Sequence, residues 1–322
     1  MVVTGNAHFS TGLEWLGTRI AFKTGFKPAL DGLMASDFWF GFPSPRFATF
    51  RDVEAAIHYE HSECERNAIV SWADPELQVC FNWEAYASER FLNELVFLVC
   101  ERVNQARGRF CVHAASIQKS GMALVLVGDS LSGKTSLATE LALRYAYQMI
   151  SADLTIIGLD HYGVPSVMAG ANRFVRFRAD SLERSNPVLF SRLFSEADRR
   201  RNAKRSAVPS EIGLETCSGL QEIKAVILPR LESGLEPELR VLGLSEAQKL
   251  YDHLGKWLRG CEMVMITSDG RIGSVPPPYL DTPGLHLKRA EFLNSLLDRH
   301  LCFTLHGHLD GSIEVLNGLM KS

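Results

Sequence analysis

Five consecutive apolar residues, Ala123 to Val127, run into Gly128 and predict a strand. Ser136 to Arg144 follows with leucines at 137, 141 and 143, closer to the helical period than to alternation. The order is therefore strand, glycine-containing loop, helix. Just upstream, Phe91, Leu92, Leu95, Val96, Leu98 and Val99 form a broad apolar face and predict one helix over 89–107, ended by Gly108. Residues 110–117 predict a strand that turns at 118–121 and pairs with 123–127. His113 then sits near the start of the strand beside the loop-bearing one.

Other elements follow from the same patterns. Residues 67–72 and 77–83 read as strands of an antiparallel unit. Residues 147–158 read as two short strands interrupted at Ser151, Ala152 and Asp153. Residues 162–168 and 173–178 are further strands, the second bringing Arg173, Arg176 and Arg178 close together. A strand over 221–230 is expected to stop at Pro229. A helix is expected over 245–258 with Ser245 as its cap, a short strand at 263–266, and a stiff proline-rich connection at 274–279. The chain closes with an amphipathic helix over 289–300 and a strand from Cys302. The aromatics at 38–42 are expected to pack against an N-terminal sheet. This divides the chain into an N-terminal α+β region, 1–107, and a second domain, 108–322, with no internal repeat.

Composition adds exclusions. The chain has 322 residues, 46% hydrophobic and 22% charged, an ordinary globular balance with ample room for a core. Its net charge of −3 gives no reason to expect nucleic-acid binding. The start lacks a basic stretch followed by an apolar core, and no apolar run reaches membrane-spanning length. Seven scattered cysteines, never in C-x-x-C, read as reduced thiols of a cytoplasmic protein.

The chemistry lies in the loop. Gly128, four intervening residues, then Gly133, Lys134 and Thr135 match G-x-x-x-x-G-K-[ST] directly after a strand. In that pattern backbone N–H groups turn inward on phosphate oxygens, the lysine reaches the β/γ-phosphates and the hydroxyl ligates Mg²⁺. Gly128, Asp129, Ser130, Ser132, Gly133, Lys134, Thr135 and Ser136 are thus the candidate cradle for ATP with Mg²⁺. The chain carries neither N-K-x-D nor L-S-G-G-Q, and no apolar strand ends in a downstream aspartate. The best acidic candidate is Asp153, 18 residues after Thr135. The basic run Arg199, Arg200, Arg201, Lys204 and Arg205 reads as a solvated helix face, with a clamp for an acidic or phosphorylated substrate as the functional alternative.

Three segments taken in order resemble the kinase domain of HPr kinase/phosphorylase and its smaller relatives, the HPr-kinase-like serine kinases of peptide-modification clusters. They are 112–117, 124–136 and 149–154. The resemblance covers about residues 108–160 and implies an α/β P-loop core of the kind shared with phosphoenolpyruvate carboxykinases. It implies catalytic roles for His113, Lys134 and Asp153, and Mg²⁺ ligation by Thr135 and Asp153. The sequence departs from the family at Ala152, where an acid is usual. That acid pair divides metal binding from proton removal. Here Asp153 would serve both, or Asp129, His113 or Asp160 would substitute. Arg176, Arg178 and Arg230 are candidates to neutralise the γ-phosphate. The expected activity is phosphoryl transfer from ATP to a hydroxyl of a peptide, protein or small molecule. A catalytically weak nucleotide-binding regulator or scaffold is the alternative. Neither a nucleic-acid nor a membrane partner is expected, and an oligomer is compatible with the sequence.

Overall fold

A computed structural model describes residues 9–36, 39, 41–63, 69–84, 88–259 and 280–321. The strand expected at 263–266 and the connection at 274–279 lie outside these residues. Among the described residues, no helix is long and apolar enough to cross a membrane. The chain is mixed α/β and divides into two compact units. One comprises Met1–Trp39, Ser44–Arg107 and Gly255–His286; the other Phe40–Pro43, Gly108–Leu254 and Leu287–Ser322.

In the first unit the elements run β1 (Phe9–Trp15), β2 (Thr18–Thr24), α1 (Lys27–Ala35), β3 (Arg46–Ala48), β4 (Ala55–His61), β5 (Ile69–Ala73), β6 (Glu76–Phe81) and α2 (Ser88–Ala106). The strands form one sheet in the order β3-β1-β2-β4-β6-β5. The hairpin β5–β6 is antiparallel, whereas β6 joins β4 in parallel, so the unit is mixed rather than purely antiparallel. The apolar face of α2 is buried through Leu92, Leu95, Val96 and Val99. Trp39 packs edge-on to Trp15 with ring centroids 5.0 Å apart. Phe42, three residues on, belongs to the second unit. Leu258, Leu280 and Leu285 share a buried cluster with Leu98, which is why Gly255–His286 joins this unit despite its distance along the chain.

The second unit contains β7 (Arg109–Lys119), β8 (Met122–Val127), α3 (Lys134–Tyr145), β9 (Gln148–Ser151), β10 (Leu154–Leu159), β11 (Pro165–Gly170) and β12 (Val175–Arg178). There follow α4 (Ala179–Ser185), α5 (Pro187–Leu193), α6 (Glu196–Arg200), β13 (Lys204–Ala207), β14 (Gln221–Leu231), β15 (Glu238–Val241) and α7 (Leu244–Gly255). Last come α8 (Pro283–Asp298), which enters the unit at Leu287, β16 (Cys302–Gly307) and α9 (Leu309–Leu319).

Its main sheet runs β11-β10-β7-β8-β14-β16-β15, with β9 also on β7. Strands β8, β14 and β16 are parallel to their neighbours in that group, and the rest of the sheet is antiparallel. The unbroken apolar run of β8 follows from burial on both faces. Leu124 and Leu126 face one core with Leu137 and Leu141 of α3, while Ala123, Val125 and Val127 face another with Leu250, Leu254 and Phe292. β14 shows the same two-sided burial, its alternation broken by a register shift between Ile223 and Ala225.

Two expectations fail for physical reasons. Pro229 does not stop β14, which continues to Leu231. Pairing with β8 ends at Ile227, so beyond it the strand is flanked by β16 alone. A residue without an N–H is tolerated at such an edge. Helix α7 begins at Leu244, which places Ser245 inside the first turn rather than at the cap.

Candidate functional site

The turn between β8 and α3 spans Gly128 to Gly133. Leu131 and Gly133 both have left-handed backbone, with φ of 72° and 95°. Only glycine fits at 133, because a Cβ there would lie 2.4 Å from Leu231 Cδ1 and 2.5 Å from its Cγ. The loop closes internally: Ser132 N donates to Asp129 O at 3.3 Å, and Lys134 Nζ donates to Asp129 O at 2.7 Å. Lys134 is 5% exposed, so its ammonium is held within the loop's curve. The Ser132 hydroxyl is buried without a hydrogen-bond partner among the described residues.

The sheet register brings His113 and Asp153 to this loop. Gly128 N contacts His113 O at 3.4 Å, so the loop departs where His113 ends the pairing with β8. On the other side of β7, pairing with β10 begins at Leu154 opposite His113. Both β9 and β10 pair with β7, and the interruption at Ala152 and Asp153 falls between them. Buried Ser151 stabilises that turn by donating to Leu154 O at 2.6 Å. Ala114 N donates to Asp153 O at 2.9 Å. The consequence is a side-chain pair, His113 Nε2 to Asp153 Oδ1, at 2.9 Å. Partial burial raises the Asp153 pKa, but His113 opposes it by hydrogen bond and charge, helped by Arg176 and Lys134. The net result holds the carboxyl below its usual range.

Ala152 presents two different faces. Its methyl is 4% exposed within an apolar cluster that includes Ala115, Leu137 and Ala138. Its carbonyl accepts from Thr135 Oγ1 at 3.4 Å. Thr135 therefore sits one residue from the Asp153 carboxylate.

These residues share one open cleft of about 260 Å³, whose wall includes His113, Ser130, Gly133, Lys134, Thr135 and Ser136. Asp153, Ala152, Arg176, Arg178, Ser181 and Lys204 also line it. Among the described residues lining the cleft Asp153 is the sole acid, against Lys134, Arg176, Arg178 and Lys204. A chain of net charge −3 thus concentrates positive charge at one place.

The sequence-derived candidates separate accordingly. Gly128, Asp129 and Ser132 belong to the loop without lining the cleft wall, and Asp129 contributes its carbonyl as described. Arg230 is 71% exposed and pairs with Glu232 at 2.5 Å, away from the cleft lining. Asp160 holds its own turn by accepting from Tyr162 N and Val164 N, each at 2.8 Å. Arg173 stacks on Phe174 and is not part of the wall. In the basic run, Arg199 pairs with Glu183 at 2.9 Å and Arg205 with Asp198 at 2.9 Å, as a solvated face would. Lys204 differs, since it reaches the cleft wall. Its signal in the sequence was the alternation of Lys204 and Ser206 with Arg205 and Ala207, which is strand-like and splits the run between two faces.

Neither a protein-family model nor a curated protein matches the chain.

Proposed function

We propose that the second unit binds a nucleoside triphosphate with Mg²⁺ and transfers its terminal phosphoryl group to a hydroxyl. The observation carrying this reading is the meeting, in one cleft, of a glycine loop, a buried lysine and the His113–Asp153 pair. The donor set suits a polyphosphate. Gly133 leaves the backbone bare where a side chain would collide with Leu231, and cations outnumber acids among the residues lining the cleft. The Thr135 hydroxyl and the Asp153 carboxylate are hard oxygen donors of the kind Mg²⁺ takes alongside phosphate oxygens and water. When bound, the metal ion neutralises charge on the phosphates.

The chain's own groups supply the rest. Lys134 exchanges its contact with Asp129 O for phosphate oxygens and brings charge to them. Arg176, which acts electrostatically on Asp153, stands where charge develops during transfer. His113 and Asp153 handle the acceptor's proton as one hydrogen-bonded unit. A carboxylate held below its usual pKa is a weak base, so Asp153 orients His113 and serves the metal. This arrangement fills the role that a second acid at position 152 would have taken.

The test is calorimetric titration of Mg·ATP into the full chain and its Lys134→Ala variant, followed by assay of phosphoryl transfer to hydroxyl-bearing peptides. Binding to the wild type that is lost in the variant supports the site. Failure of the folded wild type to bind sinks it. Tight binding without transfer to any acceptor favours the regulator reading.

A further inference from the structure

We propose that the cleft holds a second anion site, made by Arg178 and Lys204, and that the acceptor is an alcohol bearing its own carboxylate or phosphate. This rests on the reading of the cleft as a phosphoryl-transfer site and specifies the acceptor's class.

The register of the ribbon β12–β13 pairs Val175 with Ala207, Arg176 with Ser206, Phe177 with Arg205 and Arg178 with Lys204. Alternation sorts the ribbon into two faces. Val175, Phe177 and Ala207 are buried in the core shared with α3. Arg205, opposite Phe177, lies over the Phe194 ring and pairs with Asp198. The other face looks into the cleft and carries Arg176, Arg178 and Lys204.

Arg178 and Lys204 are directly opposed like charges, an arrangement that costs stability in an antiparallel pair. Neither forms a salt bridge with a described residue, whereas Arg205, Arg199 and Arg184 nearby each have a carboxylate within 3.2 Å. Two cations facing each other across a ribbon, unmatched and aimed into a cleft, are matched by an anion placed between them. Their side chains converge on a carboxylate or phosphate from two strands.

Charge balance separates this site from the nucleotide. A Mg²⁺-bound triphosphate carries about two net negative charges. With the Asp153 carboxylate the loaded cleft holds about three negative charges against the four cations Lys134, Arg176, Arg178 and Lys204. A net positive charge is therefore left, and loop amides supply further hydrogen bonds to the nucleotide. Arg178 lies two residues beyond Arg176, roughly 7 Å farther along the ribbon. An acceptor whose hydroxyl meets His113 and Asp153 extends its anionic group toward that position.

The experiment uses the full chain and its Arg178→Gln and Lys204→Gln variants, the first half-buried and the second exposed. Mg·AMPPNP is titrated first. D-glycerate, glycerol 3-phosphate and glycerol are then titrated, with and without the nucleotide analogue. Both variants should keep analogue affinity within about twofold. Glycerate or glycerol 3-phosphate should bind the wild type saturably and bind either variant roughly tenfold more weakly, the loss expected for one charge-assisted contact. Glycerol should not bind. The two anion arms distinguish a carboxylate from a phosphate acceptor. Absence of anion binding at 10 mM, equal binding of glycerol, or a tenfold loss of analogue affinity in either variant would overturn the proposal. If the analogue fails to bind the wild type while the anions still bind and respond to the variants, the nucleotide reading fails and the anion site stands.

Discussion

His113 and Asp153 lie 40 positions apart in the chain, yet their side chains meet at 2.9 Å, the first from β7 and the second from the break between its neighbours β9 and β10. The meeting depends on a break between two strands that share the same neighbour, which turns Asp153 out of the sheet and into the cleft. Its carboxyl is held below the usual range by its partners.

That lowering has a pH consequence. A carboxylate with a depressed folded pKa contributes stability that is fully present above its ordinary value near 3.8, and it loses that contribution as pH falls through the lowered value. The stability difference between wild type and Asp153→Asn should shrink as pH falls below about 4. Urea unfolding across about pH 2–5 checks this. A difference that grows as pH falls below about 4 contradicts the pairing.

Lys134→Ala should weaken Mg·ATP binding about ten- to hundredfold, the range of a lost charge-assisted contact to phosphate. Titration calorimetry reads the loss. Circular dichroism should show the variant folded, because the mutation falls at the first residue of α3 and alanine favours helix.

Gly133→Ala combines a left-handed φ of 95° with a clash against Leu231. It should destabilise the second unit by about 1–3 kcal/mol and abolish nucleotide binding. Adding Leu231→Ala removes the collision but not the backbone strain. The double variant should therefore regain only part of the lost thermal stability.

Glu140 tests packing away from the cleft. It is 3% exposed and accepts from Arg144 Nε at 2.8 Å and Asn186 Nδ2 at 2.9 Å, tying α3 to the start of α5. Glu140→Ala should cost about 1–3 kcal/mol, because it leaves the Asn186 amide without its acceptor and opens a gap, while Arg144 keeps Asp310 and water. Thermal unfolding measures it, and a change under 0.5 kcal/mol would mean the contact is absent in solution.

Sequence alone carried the local part of this account. The apolar run of β8, the glycines at 128 and 133, the lysine after them and the leucine spacing of α3 are all read within about 20 residues, because strand burial, turn geometry and helix period are short-range properties. The interruption at Ser151, Ala152 and Asp153 was legible for the same reason.

What the tertiary structure decided is everything that depends on register between distant segments. Which arginine reaches the cleft could not be read from the chain, because Arg176, Arg178 and Arg230 have similar local settings. Only the pairing of β12 with β13, and of β14 with β16, separates the first two from the third. Lys204 was hidden in a basic run whose members look alike until a strand assigns alternate residues to opposite faces. Pro229 looked like a strand end because its missing N–H counts against any interior position, and only the shorter reach of β8 makes its place an edge. The membership of Gly255–His286 in the first unit likewise rests on Leu258, Leu280 and Leu285 meeting Leu98, a contact set by burial of apolar surface between segments more than 150 residues apart.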